Sequence, residues 1–220
     1  MKRNVVDHDA RRIEIAEAAC STLLEVGLER TRLKDIAVSM GYTTGVLQHY
    51  FKSKEDLLLF TKNLLFDRTF ARMKKIASKR EGIDRLVAMV EELAPITKRS
   101  VKQWRLVAIF DGYAIGHEDM MRIQNDRNLI GIRVIAEEIE ELQKLGVLPD
   151  TLNPELESFG INALMHGLAD HVVLSPKSWK KEDMTFLIKR HIRDILAKGN
   201  SGASANKKTP RIDAKESASV

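Results

Sequence analysis

The sequence predicts an all-α protein of about nine helices, with a three-helix unit at the amino end and a larger helical part after it. Apolar residues recur three, four and seven positions apart through most of the first 197 residues, as one face of a helix requires. No stretch alternates convincingly between apolar and polar residues, so we expect no sheet. Residues that begin or end helices, such as Gly27, Gly41, Gly146 and Pro154, separate the apolar runs.

The first helix is predicted from Asp9, a capping residue, to about Val26, with Gly27 ending it. Its predicted buried stripe consists of Ile13, Ala16, Cys20, Leu23 and Leu24. Cys20 is the only cysteine, so no internal disulfide is possible, which is typical of a reducing cytoplasm. We interpret Cys20 as a small core residue rather than a redox sensor.

The segment 31–54 predicts two short helices joined by a tight turn and followed by the start of a third. Thr31 is expected to cap the first of the pair, which carries apolar residues at positions 33, 36, 37 and 40. Gly41 stands where a helix end needs a left-handed residue, and Thr43 is expected to cap the next helix. This arrangement is a helix-turn-helix.

The second helix of the pair has two different faces when its residues are placed at 100° steps. Leu47, Tyr50 and Phe51 fall on one side, and the other side carries the small or uncharged polar residues Thr44, Gly45, Gln48 and His49. Glutamine can pair with an adenine edge, and threonine offers a hydroxyl and a methyl group. This face has the chemistry of a helix that reads DNA bases.

Positive charges surround this helix pair: Arg32, Lys34, Lys52 and Lys54, against Asp35 alone. Cations beside a base-reading helix are what phosphate contacts require. On the pattern alone, an ordinary helical hairpin with a polar outer face remains an equal alternative, because short helix pairs are common.

The run from Gly27 through Leu58 resembles the DNA-binding domain of TetR/AcrR-type transcriptional regulators. The resemblance is carried by Thr31, Ile36-Ala37, Gly41, Thr43-Thr44-Gly45, Tyr50-Phe51, Ser53-Lys54-Glu55 and Leu57-Leu58. It implies a regulator that binds double-stranded operator DNA. The DNA-binding residues that it implies here, together with the local charges, are Arg32, Lys34, Thr43, Thr44, Gly45, Gln48, His49, Tyr50 and Lys54.

One position departs from that family's pattern. The family usually has Tyr where this chain has Gln48, and that Tyr commonly touches the DNA backbone. Gln48 can instead read a base. Both roles remain open for Gln48.

The remaining apolar runs predict six further helices. Ser53 and Asp56 form a capping box that opens a long helix, and Asn153-Pro154-Glu155 forms a second strong helix start. The predicted ranges are 54–78, 83–97, 101–115, 119–145, 154–174 and 180–197.

We therefore divide the chain into residues 1–53, a helix-turn-helix domain, and residues 54–198, a helical domain. Residues 199–220 are poor in apolar residues and predict a disordered basic tail. Net charge is +6 over residues 1–80, −4 over residues 81–197 and +3 over the tail. Lys2 and Arg3 resemble an arm that reaches a minor groove, although a disordered leader is favoured.

The resemblance implies that the second domain binds a small-molecule effector and that its last two long helices pair with their copies in a homodimer. Candidate ligand-binding residues on the central helices are Trp104, Phe110, Tyr113, Met121, Phe159 and His166. Packing in the core is the competing interpretation for each aromatic or Met, since such residues at helical spacing usually pack.

The sequence predicts no enzyme, no cofactor and no metal site. It contains no Gly-rich phosphate loop, no CxxC and no HExxH. His166 and Asp170 share a helix face, which favours interface or pocket polarity over a metal site. No apolar run reaches the ~18 residues of a membrane span. The alternative function is a helical small-molecule carrier or interaction module without specific DNA binding.

Overall fold

The computed structural model describes residues 8–197, and within them the chain forms nine α-helices and no strand. The all-α prediction is confirmed. The helices are α1 (His8–Arg30), α2 (Leu33–Ser39), α3 (Thr44–Tyr50), α4 (Lys54–Ala77), α5 (Gly82–Leu93), α6 (Lys98–Ala114), α7 (Glu118–Lys144), α8 (Pro154–Leu174) and α9 (Lys181–Ala197). The predicted arm at Lys2 and Arg3 and the predicted tail of residues 199–220 lie outside the described residues.

Three predicted caps differ from the structure. α1 begins at His8, so Asp9 lies inside its first turn instead of before it. Thr31 is buried, and its hydroxyl donates to the carbonyl oxygen of Gly27 at 2.7 Å, which leaves Arg32 at the N-cap of α2. Thr43 is the N-cap of α3 by backbone geometry, but its side chain makes no capping hydrogen bond.

The strong sequence signals for helix ends hold. Gly27 and Gly41 adopt φ angles of 77° and 73°, which a side chain would strain. α1 is interrupted at Gly27 and continues for one further turn to Arg30. Asn153 accepts from the backbone N–H of Leu156 at 3.0 Å. Ser53 accepts from the backbone N–H of Asp56 at 3.2 Å, but the Asp56 carboxylate accepts from the N–H of Lys52 at 3.0 Å, so only half of the predicted capping box forms.

The buried residues form three clusters. The amino-terminal cluster joins α1, α2, α3 and the start of α4 and contains Ile15, Ala19, Ile36, Ala37, Leu47, Phe51 and Leu57. The largest cluster joins α4, α5, α7, α8 and α9. A junction cluster lies between them and contains Leu23, Leu58, Leu106 and Phe110. α4 contributes to all three clusters, so it connects the two ends of the molecule.

Cys20 packs partly buried against the junction cluster, as expected of a core residue. Burial raises the pKa of its thiol to about 11, so the thiol is protonated and weakly reactive at neutral pH. Among residues 8–197, no helix is both long enough and apolar enough to cross a membrane.

Candidate functional site

The turn between α2 and α3 fixes the direction of α3. The backbone N–H of Tyr42 donates to the carbonyl oxygen of Ala37 at 2.8 Å, and the tyrosine hydroxyl accepts a hydrogen bond from Arg11 of α1. Leu47 and Phe51 are at most 1% exposed and anchor α3 in the amino-terminal cluster. α3 is therefore held on one side only.

The opposite side of α3 faces solvent, as its residue pattern predicts. Gly45, Gln48 and His49 are exposed, and Thr44 is half-buried. The next residue, Val46, is 38% exposed, which adds an apolar contact of the kind that fits a thymine methyl group. These side chains form one continuous surface, which we call the reading face (residues 44, 45, 46, 48 and 49).

Tyr50 closes one end of this face and is half-buried. Its ring lies 4.9 Å from that of His8 and 5.2 Å, edge-on, from that of His49. His8 begins α1, so these rings connect the end of α3 to the start of the chain's first helix. The contact limits the freedom of Tyr50 and of the neighbouring His49.

Gly45 has no internal packing reason to be glycine. A Cβ built there would meet only the Oγ1 atom of Thr43, at an ordinary 3.8 Å. Glycine inside a helix costs about 0.5–1 kcal/mol relative to alanine. A glycine that lowers helix stability, and that no close contact within the described residues requires, is typical of a place where another molecule approaches the backbone.

The predicted phosphate-binding cations divide into two groups. Arg32 and Lys34 are exposed at the start of α2. Lys54 is half-buried, and its Nζ donates to the carbonyl oxygen of Leu28 at 2.7 Å. Part of the hydrogen-bonding capacity of Lys54 is thus used inside the protein. Thr43 is exposed at the start of α3, beside the reading face.

A cavity of about 130 Å³ lies between α4, α6, α7 and α8, next to the end of α5. Aromatic rings form much of its wall. Phe66 and Phe70 come from α4, and Trp104 and Phe110 come from α6. Its size is comparable to that of an engineered cavity of about 150 Å³ that binds benzene.

One end of the cavity carries a closed polar network. Arg72 donates to Glu92 at 2.7 Å and to Gln103 at 2.8 Å, while Gln103 donates to the hydroxyl of Thr69. Arg99 adds a second ion pair to Glu92 at 2.7 Å. The polar groups of this end hold one another and need no ligand.

Three other polar residues of the cavity wall are not part of this network. The Nζ of Lys62, the Oδ1 of Asp111 and the Oε1 of Gln124 are buried and have no hydrogen-bond partner among the described residues. Lys62 is only 8% exposed. Burial lowers the pKa of the Lys62 ammonium to about 8 and raises the pKa of the Asp111 carboxyl. We call these three groups the open polar trio.

The structure separates the predicted ligand-binding residues. Trp104, Phe110 and His166 line the cavity, and the ring of His166 meets that of Trp104 edge-on at 4.9 Å. Tyr113, Met121 and Phe159 lie outside the cavity lining. Met121 and Phe159 are exposed, and Tyr113 packs against the junction cluster and stacks on His117 at 4.1 Å.

Sequence reasoning missed the open polar trio. A signal was available for Lys62, which lies four residues after Leu58 and three before Leu65, on the inward stripe of α4. A lysine within an apolar stripe indicates either a buried pair or a binding role. Asp111 gave the same signal, since it lies seven residues after Trp104 and four after Val107 on the inward stripe of α6. Gln124 gave none, because an uncharged polar residue in a long helix is not unusual.

The outer faces of α8 and α9 expose apolar and small residues. On α8 these recur at helical spacing and are Leu156, Phe159, Ala163, Gly167 and Leu174; on α9, Phe186 is 60% exposed. Exposed Asp170 and His171 interrupt this set between Gly167 and Leu174. Exposed apolar residues grouped in this way are typical of a protein-protein contact. We call this set the outer stripe.

His166, Asp170 and His171 do not converge. His166 faces the cavity, whereas Asp170 and His171 are exposed, and the His171 ring lies 5.2 Å from that of Trp179. Over the described range, no three His, Cys, Asp or Glu side chains come together as a metal-binding group.

Comparison with known families gives two matches that together span most of the chain. Residues 15–59 match the model of bacterial regulatory proteins of the tetR family, and residues 82–197 match that of the BetI-type transcriptional repressor, C-terminal. The resemblance found in residues 27–58 is thereby confirmed, and it extends into the second half of the chain.

Individual proteins similar to this chain are also described as transcriptional regulators. The HTH-type transcriptional regulator PksA of Bacillus subtilis (strain 168) is 29% identical over 192 residues, 86% of this chain and 92% of that protein. The HTH-type transcriptional repressor KstR2 of Mycolicibacterium smegmatis is 25% identical over 185 residues, 84% and 75% of the two chains. A transcriptional regulator from Saccharomonospora viridis, solved in complex with choline, shares the fold with a TM-score of 0.76 at 22% identity, over 84% of this chain and 96% of that chain.

Proposed function

Because the chain belongs to the TetR family of bacterial regulatory proteins, we propose that it is a ligand-responsive, sequence-specific repressor of transcription. In this proposal a homodimer binds a palindromic operator, and a small-molecule effector releases it. The proposal excludes an enzymatic role and places the protein in the cytoplasm, where bacterial operators are.

The observation that carries the proposal is the one-sided burial of α3. Leu47 and Phe51 fix the helix from within, and the reading face stands free opposite them. A short helix held this way fits the major groove, which is about 12 Å wide. We propose that Thr44, Gln48 and His49 contact base edges, that Gly45 admits the DNA backbone, and that Tyr50 supports them.

Phosphate contacts belong to residues around that face. We propose that Arg32, Lys34 and Thr43 hold the DNA backbone beside the reading face. We propose that Lys54 also contacts phosphate, through the N–H donors of its side chain that are not used in the bond to Leu28. The backbone N–H groups at the start of α4 would contact the same phosphate.

The outer stripe supports a homodimer. Paired through α8 and α9, two copies would bury Phe159 and Phe186, which stand half exposed or more in the single chain. Two reading faces related by a twofold axis require an inverted repeat whose half-sites lie about 34–36 Å apart or a multiple of that distance.

α4 connects the cavity to the helix-turn-helix, so a shift of this helix can couple ligand binding to DNA binding. Lys62, Phe66 and Phe70 line the cavity, while Leu57 belongs to the amino-terminal cluster on the same helix. We propose that residues 1–53 move with the start of α4 when residues 54–198 bind an effector. An effector that prefers one position of α4 by about 1–3 kcal/mol is sufficient for a useful switch.

The chemistry of the cavity bears on the class of effector. The protein from Saccharomonospora viridis was solved with choline, a permanent cation. In this chain the ammonium of Lys62 and the acidic group of Asp111 act on each other in the wall of the cavity, so no unopposed negative charge is left for a second cation. We therefore propose a different effector class here.

The test is selection of bound duplexes from a randomised pool, followed by footprinting of the recovered sequences. We expect an inverted repeat that protects two half-sites. Recovery of unrelated sequences with purely salt-sensitive binding would overturn the proposal. Tight binding of a small molecule without any footprint would favour the alternative of a carrier or interaction module.

A further inference from the structure

We propose that the cavity binds an uncharged, single-ring molecule bearing a hydroxyl group, which accepts a hydrogen bond from Lys62 and donates one to Asp111. Only the idea that this ligand controls DNA binding rests on the proposed function, because binding of the ligand is measured without DNA.

The first argument is the size and wall of the cavity. A volume of about 130 Å³ is on the scale of one six-membered ring. Phe66, Phe70 and Trp104 give that ring apolar and aromatic neighbours. The indole N–H of Trp104 already donates to the carbonyl oxygen of Leu93 at 2.7 Å, so this ring offers its carbon surface and not its donor.

The second argument is the unmet hydrogen bonding of the open polar trio. Lys62 offers N–H donors, whereas Asp111 Oδ1 and Gln124 Oε1 accept, and these atoms have no partner among the described residues. Lys62 and Asp111 do not satisfy each other, because neither the Lys62 Nζ nor the Asp111 Oδ1 has a hydrogen-bond partner among the described residues. A buried polar atom without a partner costs about 1–3 kcal/mol, so a ligand that bonds to both residues offsets that cost.

A hydroxyl group fits this set because it accepts and donates through one atom. A methyl group does neither, and a carboxylate only accepts. An ammonium only donates and lies against Lys62. The hydroxyl is therefore the smallest group that satisfies both a donor and an acceptor of the trio.

The third argument is charge. At neutral pH the Lys62 ammonium remains mostly protonated, because its lowered pKa is still about 8. The acidic group that offsets this ammonium in the same wall is Asp111, which opposes the lowering of the Lys62 pKa by burial and whose own carboxyl pKa is raised by burial. The other charged lining residues are paired elsewhere: Glu92 with Arg72 and Arg99, and Arg127 with Asp67 at 3.2 Å. A ligand with a net charge would upset this balance inside a poorly solvated space.

The experiment measures binding of four single-ring probes to the full chain by calorimetry at pH 7: phenol, toluene, benzoate and benzylammonium. We expect phenol to bind roughly tenfold tighter than toluene, because it adds hydrogen bonds to charged groups. Benzoate and benzylammonium should bind more weakly than phenol. Equal binding of phenol and toluene, tighter binding of either ion, or binding of none of the four would overturn the inference.

Two variants locate the effect. Lys62→Met keeps the approximate volume of the side chain, and Asp111→Ala removes the carboxyl group without filling the cavity; each should remove most of the preference for phenol over toluene. Lys75→Met, an exposed lysine on the same helix, should leave that preference unchanged. A preference that survives in both cavity variants would place phenol elsewhere on the protein and would overturn the inference.

The outcome is separable from the fate of the proposed function. A protein that selects an inverted repeat but ignores phenol refutes this inference alone. A protein that binds phenol through Lys62 but selects no DNA sequence refutes the proposed function and leaves the cavity assignment standing.

Discussion

The Nζ of Lys54 lies 2.7 Å from the carbonyl oxygen of Leu28 and donates a hydrogen bond to it. Leu28 lies in the last turn of α1, and Lys54 begins α4, so this bond ties the end of α1 to the helix that reaches the cavity. Hydrogen bonds from charged donors contribute about 1.5–3 kcal/mol when shielded from water. The bond thus stabilises the position of α1 relative to α4.

Lys54→Met should therefore lower the free energy of unfolding by about 1 kcal/mol, since the residue is only half-buried. Urea unfolding followed by circular dichroism measures this change. Lys52→Met, in which an exposed lysine is replaced two residues earlier, is the control and should be nearly neutral. If Lys54→Met proves as stable as the control, the bond to Leu28 is not stabilising.

The variant Gln48→Ala distinguishes the two contacts that are open for Gln48, one to a base and one to phosphate. If Gln48 pairs with a base, the variant should lose its preference at one operator position, at a cost of about 1–3 kcal/mol against the preferred base. If Gln48 contacts phosphate, affinity should fall alike for all sequences. Binding to a set of single-base operator variants distinguishes the two. An unchanged affinity for every duplex would remove Gln48 from the interface.

Gly45→Ala should have opposite effects on stability and on DNA binding. Alanine has space at this position and favours the helix by about 0.5–1 kcal/mol, so the melting temperature should rise. The added methyl group should lower operator affinity if the DNA backbone approaches Gly45 closely. Thermal unfolding and fluorescence anisotropy with a labelled operator measure the two effects. A variant with higher stability and full affinity would show that the DNA keeps its distance.

The outer stripe predicts the effect of charge on assembly. If the proposed dimer forms, Phe159→Glu should convert it to a monomer in sedimentation experiments, because it places a carboxylate in the apolar surface that would pair. Ile115→Glu, at an even more exposed apolar residue between α6 and α7, should leave the dimer intact. Dissociation of both variants would mean that charge alone, and not the outer stripe, controls assembly.

The reading face was predictable from the sequence because a helix of known phase has only two sides. Once Leu47 and Phe51 were assigned to the core, Gly45, Gln48 and His49 had to face outward, and they do. The helix order was equally accessible, since Gly41 and Asn153 mark helix ends by local backbone requirements alone. Local rules therefore give the candidate DNA surface.

The cavity was less accessible because it depends on which helices meet. Trp104 and His166 were identified, but periodicity gives an inward side without saying whether that side meets a cavity, a neighbouring helix or another copy. Phe159 shows the limit: its aromatic ring at helical spacing suggested the centre of the domain, and its side chain is 50% exposed on the outer face of α8. Only the packed arrangement resolves such a choice.

The effect of Lys62 on the pH dependence of the free energy of unfolding reports how polar its surroundings in the cavity are. Burial lowers the pKa of this ammonium to about 8; the carboxylate of Asp111 opposes that shift, and the guanidinium of Arg127 adds to it. The other titratable groups of the cavity wall are Glu92 and His166. In the unfolded chain a lysine has a pKa of about 10.4. Between these two values the unfolded chain binds more protons than the folded chain, so this group increases stability as pH rises.

Lys62→Met should consequently be more stable than the parent chain at pH 7, where burial of the charge is fully felt. Its advantage should shrink as pH rises from 8 towards 10.5, by a few kcal/mol at most, at about 1.4 kcal/mol per pKa unit. Urea unfolding at pH 7, 8, 9 and 10 measures the difference between the two proteins, and Lys75→Met should show a small difference that does not change with pH. A constant advantage of Lys62→Met across this range would mean that the Lys62 ammonium titrates normally and that its end of the cavity is open to water.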